Sequence, residues 1–540
     1  MKSSLVYVLY PELVLENGVV ITMDQKQRIA ESLAILGNKI LRVGKSEEIK
    51  PLIGPDTDVI DLDGRAVVPG LTDPHLHLIG AGLAALHEFR IPPTFIKDIQ
   101  KKVKEEAGKK QPGEWLIGGD IRHAHIKLKE RRFPDRWELD ETAPQNPVFL
   151  RMGPHIKVVN SLALEKAGID ENTTDPLGGT IVKDHRGVTG VLRETAGDLV
   201  SKIFPPHSFE DKLSAIQLMS RRCLERGVTT IHDIVTSPEE VRAYMTLRRE
   251  KKLLIRVILL IRVWESEISL KNVLDTGIES GFGDNWLKIG GVKMSVGGGI
   301  SGSNAAFYEE YCDEHGNFGV IRIPYPDLVG LIKDSDHSNL QCAVHALGDR
   351  DLDMVIHAFR AALKNSNSGL RHRVEHAGNW CFTPERRLAF KELDLIPVPN
   401  INFLYTFGDA LHVTLGEYRI KNDFFPLKSM LEEGFLLVSG SDGPDLEPAD
   451  PLRDIGTAMN RRTEKGILMG PGEAIGFLDG LKMFTYNAAY LASEEEYKGS
   501  IEKEKLADLV VLNKNPLLEG AESLLVDYTI LDGKIVFKRE

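Results

Sequence analysis

The stretch Val67-Val68-Pro69-Gly70-Leu71-Thr72-Asp73-Pro74-His75-Leu76-His77 is an apolar run ending in two histidines spaced by two. On a strand, side chains at i and i+2 share a face, so both imidazoles can converge on one metal ion. Taken alone this spacing is a weak signal, and four later residues give it weight. Lys293 lies inside the apolar run Gly291-Val292-Lys293-Met294-Ser295-Val296. An ammonium buried there is costly. It either pairs with a carboxylate, faces solvent, or has a depressed pKa and reacts with CO₂. The carbamate formed in the last case is anionic, with two oxygens able to bridge two divalent metals. His345 ends Ala343-Val344-His345 before Gly348-Asp349, and His376 follows Arg373-Val374-Glu375. Singly, each also reads as a hydrogen-bonded structural histidine. Asp442 closes Leu436-Leu437-Val438-Ser439-Gly440-Ser441-Asp442 before a glycine, where a turn or helix cap is the plainer reading.

The elements that must carry these residues alternate apolar strand-like runs with amphipathic helical stretches, the sign of a parallel sheet covered by helices. Eight candidate strands can be drawn: Ala66 to His77, Val228 to Val235, Leu254 to Val263, Leu287 to Val296, Cys342 to Leu347, His372 to Ala377, Leu395 to Asn400 and Leu436 to Asp442. Eight units close a (β/α)₈ barrel, an α/β fold whose active sites lie at the C-terminal ends of the strands. His75, His77, Lys293, His345, His376 and Asp442 all fall at such ends, on strands one, four, five, six and eight. This joint placement is what makes a metal centre the better reading. Imidazole and oxygen ligands without thiolate suit Zn²⁺, with Mn²⁺, Fe²⁺, Co²⁺ or Ni²⁺ as alternatives.

The rhythm breaks between the first and second strands. That stretch has strands of its own (Trp115 to Ile117, Val148 to Arg151) and a glycine-punctuated hairpin from Gly178 to Leu192. It reads as a subdomain, about residues 90–210, inserted over the barrel mouth. Both ends of the chain are β-rich. Val14 to Met23 carries a hairpin signal at Asn17-Gly18, Leu33 to Val43 another at Gly37-Asn38, and Tyr528 to Phe537 turns at Asp532-Gly533. The expected organisation is a composite β-sandwich domain from residues 1–66 and 497–540 around a barrel at 67–496.

A net charge of −12 argues against broad binding to nucleic acid or anionic membranes. Cys223, Cys312, Cys342 and Cys381 form no CxxC pair and read as reduced thiols of an intracellular, cytoplasmic protein. The run Leu5 to Tyr10 is too short for a signal peptide, and Leu253 to Trp264 is interrupted by Arg256 and Arg262, so no membrane span is expected. A small-molecule substrate follows, and a homodimer is the default assembly.

In its motifs the chain resembles the amidohydrolase superfamily, and within it family 3, the branch of N-substituted formamide deformylase and many uncharacterised metal-dependent hydrolases. The shared stretches are Pro69 to His77, Gly290-Gly291-Val292-Lys293, His345 to Asp349, Arg371 to Ala377, Gly440-Ser441-Asp442, and Lys498 to Glu502 leading into Lys505 to Leu512. The resemblance implies that His75 and His77 bind one metal with help from Asp442. It implies that His345 and His376 bind a second, and that carbamylated Lys293 bridges the two. It also suggests substrate-pocket residues: His155 and Glu194 in the insertion, and Arg373. The sequence departs from the branch at Gly297-Gly298-Gly299, where an Asp-Gly pair is usual, and at Gly153-Pro154-His155, which replaces Asp-Gly-His.

The expected reaction is hydrolysis of an amide-like, non-peptide C–N bond by metal-activated hydroxide. Asp442 would carry the proton from water to the leaving nitrogen, and His155 would face the developing oxyanion, unless it is simply structural. Two competing readings stand beside this one. A single-metal deaminase of a ring substrate would not need Lys293. A non-catalytic scaffold on the same fold would not keep all six ligand positions filled.

Overall fold

The computed structural model describes residues 10–92, 94–119, 127–153, 155–176, 178–421, 423–443, 450–521 and 523–540. The residues Leu5 to Leu9 and Pro154, both used in the sequence reading, lie outside the described residues.

The centre is a parallel sheet of seven strands in chain order: β1 (Leu71–Leu76), β2 (Val228–Val235), β3 (Arg256–Arg262), β4 (Leu287–Ser295), β5 (Gln341–His345), β6 (Arg373–Glu375) and β7 (Ile396–Val398). β2 and β3 are almost continuous β-branched and leucine runs, buried along nearly their whole length, as a sheet covered on both faces requires. Helices follow the strands, and their starts are set by capping side chains. Ser208, Ser237 and Ser269 each accept the backbone N–H three residues on, in capping boxes that open Phe209–Glu225, Pro238–Arg249 and Leu270–Leu274.

The expected eighth strand, Leu436 to Asp442, does not form a regular strand. It still fills the gap in the wall. Gly440 N–H donates to the Pro399 carbonyl after β7 (3.2 Å), and Asp442 N–H donates to the His75 carbonyl in β1 (2.8 Å). His77 N–H returns a bond to Gly443 (3.2 Å), beside a parallel bridge from Leu76 to Gly443. Two features break the pleat. Asp442 takes a left-handed backbone (φ +50°), and Gly440 lies so close to His75 that a Cβ there would meet the His75 Cβ at 2.5 Å.

The expected first strand also differs. Ala66 to His77 is two strands that part at Gly70: Ala66–Pro69 pairs with a terminal sheet, and only β1 joins the barrel. That terminal sheet runs Lys534–Lys538, Val526–Leu531, Leu509–Leu512, Ala66–Pro69, Val19–Ile21, Ile29–Ala30, so its strands come from both ends of the chain. A four-stranded sheet (Lys39–Gly44, Ser32–Leu36, Leu13–Glu16, Asp58–Asp61) shares its apolar core, which includes Leu15, Leu33, Val67, Leu509 and Ile530. The signals at Gly37-Asn38 and Asp532-Gly533 are hairpins. Asn17-Gly18 is a turn but not a hairpin, because the strands on its two sides enter different sheets.

Between β1 and β2 the insertion forms a six-stranded sheet: Gly179–Asp184, Gly187–Glu194, Ile156–Val159, Val148–Arg151, Leu116–Gly119, Phe89–Arg90. Val148 and Leu150 join one core while Phe149 joins another, so this sheet is covered on both faces. Among the described residues no helix is long and apolar enough to cross a membrane. The four cysteines are free thiols, three of them buried.

Candidate metal centre

Strand register sets the layers of the site. Lys293, Ala343, Arg373 and Ile396 lie side by side across β4 to β7, and two residues further along so do Ser295, His345 and Glu375. Residues two apart share a face, so Lys293 and Arg373 form a layer beneath His345 and Glu375. His75 arrives from β1 and Asp442 from the irregular closing segment.

The structure brings His75, His77 and Asp442 together, with one ligand atom of each lying within 4.8 Å of the others. Asp442 Oδ1 is 3.2 Å from His75 Nε2 and 3.3 Å from His77 Nε2. His376 and His345 stand beside this group rather than inside it. Ring centroids are 5.1 Å apart for His75 and His376, and 4.5 Å for His345 and His376.

Three of the imidazoles, those of His75, His376 and His345, are oriented by a partner on one ring nitrogen. His75 Nδ1–H donates to Glu375 Oε2, leaving Nε2 toward Asp442. His376 Nδ1–H donates to Asn400 Oδ1 at 2.6 Å, leaving its Nε2. His345 Nε2–H donates to the Gly298 carbonyl at 3.1 Å, leaving Nδ1. Asn400 is in turn anchored on Asn379 and on Gly440.

The electrostatics favour neutral His77, His345 and His376 and an ionised carboxylate, whereas at His75 burial is outweighed by Glu375 and Asp442 and the pKa is raised. Burial pushes His376 down to about 3 and, with the neighbouring His376, holds His345 well below its usual range. Burial opposes ionisation of Asp442, but hydrogen bonds from His75 and His77 prevail and keep it well below the usual carboxylate range. Lys293 is 3% exposed, and its Nζ meets no hydrogen-bond partner among the described residues. Burial lowers its amine to about 8. A buried unpartnered amine is unfavourable by itself. Beside imidazole nitrogens and a carboxylate, it completes a donor set that fits divalent metal.

Arg373 corrects an expectation. It does not line a substrate pocket. It is 0% exposed, and its guanidinium is fully used: on both oxygens of Glu375, on His232 Nδ1 (3.0 Å) and on the Pro74 carbonyl (2.6 Å). It neutralises Glu375 beneath His75 and His345, the two charges standing two residues apart on one strand. His155 and Glu194 do pair, Nδ1 to Oε1 at 2.9 Å, and Asn304 donates to the same oxygen at 3.0 Å. The glycine run explains how the insertion reaches the barrel. A Cβ on Gly299 would lie 1.8 Å from His155 Nε2, and one on Gly298 would lie 2.9 Å from Glu194.

Several functional residues escape a reading by motif. Glu375 and Asn400 orient ligands, and Asp73 accepts bonds from the backbones of His75 (3.2 Å) and Ser441 (3.0 Å). Asp233 Oδ1 accepts the Leu78 N–H at 2.6 Å, which sets the helix start just after His77. The same i, i+2 rule that singled out His75 and His77 also puts Asp73 on their face, and that signal was available.

A parallel barrel with imidazoles, a lysine and a carboxylate gathered at one end of its strands is an arrangement that can hold divalent metal at the face where barrel enzymes place their active sites. Comparison with known proteins agrees. The model of the "Amidohydrolase family" matches residues 58–537. Protein LONG AFTER FAR-RED 3 of Arabidopsis thaliana is 32% identical over 93% of this chain and 87% of its own length. N-substituted formamide deformylase of Arthrobacter pascens is 28% identical over 98% of each. An uncharacterised metal-dependent hydrolase from Pyrococcus horikoshii superposes with a TM-score of 0.75 at 24% identity, over 95% of this chain and 99% of that one. The chain belongs to the amidohydrolase family.

Proposed function

We propose that the protein hydrolyses an amide-like, non-peptide C–N bond of a small molecule, with two divalent metals, zinc by donor type, held by His75, His77, Lys293 as its carbamate, His345, His376 and Asp442. The observation that carries this is Asp442 Oδ1 at 3.2 and 3.3 Å from Nε2 of His75 and of His77, beside the buried amine of Lys293, which has no partner among the described residues.

When bound, such metals supply an acidified water and a Lewis acid for the scissile carbonyl. The remaining work belongs to side chains. Glu375 and Asn400 hold the imidazoles in the tautomers that leave Nε2 free. The Asp442 carboxylate takes a proton from the attacking water and gives it to the leaving nitrogen. His155, fixed through Nδ1 by Glu194, turns Nε2 toward the substrate oxygen and, as the imidazolium paired with Glu194, donates a hydrogen bond to it. The Arthrobacter pascens relative, named for N-substituted formamides, makes N-formyl and N-acyl amines the first substrates to screen.

Metal analysis of the purified, Zn²⁺-loaded protein tests the reading, and less than one metal per chain would overturn it. Lys293→Ala is expected to lose metal and activity, with partial recovery in short carboxylic acids that replace the carbamate. Unchanged metal content and activity in that variant would remove Lys293 from the site.

A further inference from the structure

We infer that His87, His207 and Asp211 form a second divalent-metal site, away from the barrel's ligand cluster, that clamps together the two ends of the insertion. One ligand atom from each lies within 4.8 Å of the others. The rings of His87 and His207 stack with centroids 4.9 Å apart, and His87 Nε2 is 3.2 Å from Asp211 Oδ1.

The position of these residues in the chain is what gives the site a role. His87 is the last residue of the helix Leu78–His87, and the first strand of the insertion, Phe89–Arg90, begins two residues later. His207 lies where the chain returns, just before the cap Ser208 of the helix Phe209–Glu225, and Asp211 is in that helix's first turn. The two helices pack on one another. The three ligands therefore meet at the neck through which the chain leaves the barrel and comes back.

The ligands are prepared in three ways. Asp211 is held by its capping box, with Oδ2 accepting the Ser208 N–H at 3.0 Å and hydroxyl at 2.8 Å, and Oδ1 is left facing His87. His207 is held against His87 by ring stacking, with centroids 4.9 Å apart. The nearest cations are already paired, Arg151 with Glu88 and Lys212 with Glu239. Two imidazoles and one carboxylate, partly open to solvent, suit Zn²⁺, Co²⁺ or Ni²⁺ and leave room for water, whereas Ca²⁺ and Mg²⁺ prefer all-oxygen sites. Such a clamp would fix the stem of the subdomain that carries His155 and Glu194.

The test compares metal content of the full-length wild type with His87→Ala and His207→Ala after dialysis against a small excess of Zn²⁺. All six barrel ligands are intact in these variants, so the difference does not depend on how many metals the barrel holds. Each variant is expected to hold one equivalent less than wild type, and added Zn²⁺ should slow proteolysis at the neck in the wild type only. Equal metal content in wild type and both variants would overturn the site. Should either alanine variant fold poorly, His207→Asn keeps a polar side chain there, and the same equality in it would be decisive.

Discussion

The Asp73 carboxylate accepts the Ser441 backbone N–H at 3.0 Å and the Ser441 hydroxyl at 2.5 Å, joining the first barrel strand to the segment that closes the barrel 368 residues later. Because Asp73 also takes the His75 N–H, one buried carboxylate positions the backbone beside His75 and beside Asp442. Ser441→Ala removes two bonds, that to Asp73 and the one accepted from the Gly443 N–H, and should cost about 1–2 kcal/mol. Asp73→Ala leaves several buried donors without an acceptor and should cost ~1–3 kcal/mol more, with a fall in bound metal. Chemical denaturation and metal analysis of the two variants check this. Equal, small effects would show that the closing segment is held by other bonds.

Glu375 stands between Arg373 and His75, fully buried, and burial alone would raise its pKa. The charges of Arg373 and His75 outweigh that and hold it well below the usual carboxylate range. Glu375→Gln keeps an acceptor for His75 but leaves the Arg373 guanidinium buried without its counter-charge. Breaking a buried pair in this way costs ~3–5 kcal/mol, and loss of a partner that orients a metal-binding histidine weakens metal affinity ~10–100-fold. Thermal denaturation and chelator competition for Zn²⁺ measure the two effects. A variant as stable as wild type would mean that Arg373 finds another anion.

The barrel, and the gathering of histidines at one end of its strands, were legible because periodicity is a local property. The runs Val228 to Val235 and Leu254 to Val263 announce buried strands, and His75, Lys293, His345 and His376 lie at strand ends by simple counting. The closing segment was misjudged as a strand. Its apolar start, Leu436-Leu437-Val438, fits one, while its hydrogen bonds to Pro399 and His75 depend on tertiary neighbours that no local pattern reveals. Arg373 misled for a related reason. An arginine beside a metal motif suggests a substrate contact, and only the fold shows Glu375, His232 and Pro74 using all of it. The glycines at 297–299 were visible as a departure, but their cause, the approach of His155 and Glu194 from a separate subdomain, is a long-range contact.

Gly299→Ala should therefore act through His155. The added Cβ would sit 1.8 Å from His155 Nε2, so the insertion or the β4 loop must shift. Overpacking of this kind costs ~1–3 kcal/mol. Metal content should stay as in wild type while kcat/KM falls. On a His155→Ala background the same substitution should have little further effect on stability, a coupling that a double-mutant cycle reads directly. Additive losses would place the clash elsewhere.

Asp351 gives the fold a pH dependence whose sign can be worked out. It is completely buried at the start of the helix Asp349–Ala362, where Oδ2 accepts the N–H groups of Gly348 (3.0 Å) and Ala306 (3.2 Å), while Oδ1 has no hydrogen-bond partner among the described residues. Burial outweighs those bonds and raises the carboxyl from 3.8 to about 7. A raised pKa means that the folded chain keeps a proton which the unfolded chain releases. The associated stability is fully present below about pH 3.8 and is lost as pH rises through about 7. Asp351→Asn carries a neutral side chain at every pH and does not titrate. Its stability relative to wild type should rise steadily between pH 5 and pH 8, by a total on the order of a few kcal/mol. Urea denaturation of both proteins at several pH values in that window measures the difference. A constant difference would mean that Asp351 is ionised in the folded state throughout, with its charge balanced by the surrounding backbone N–H groups.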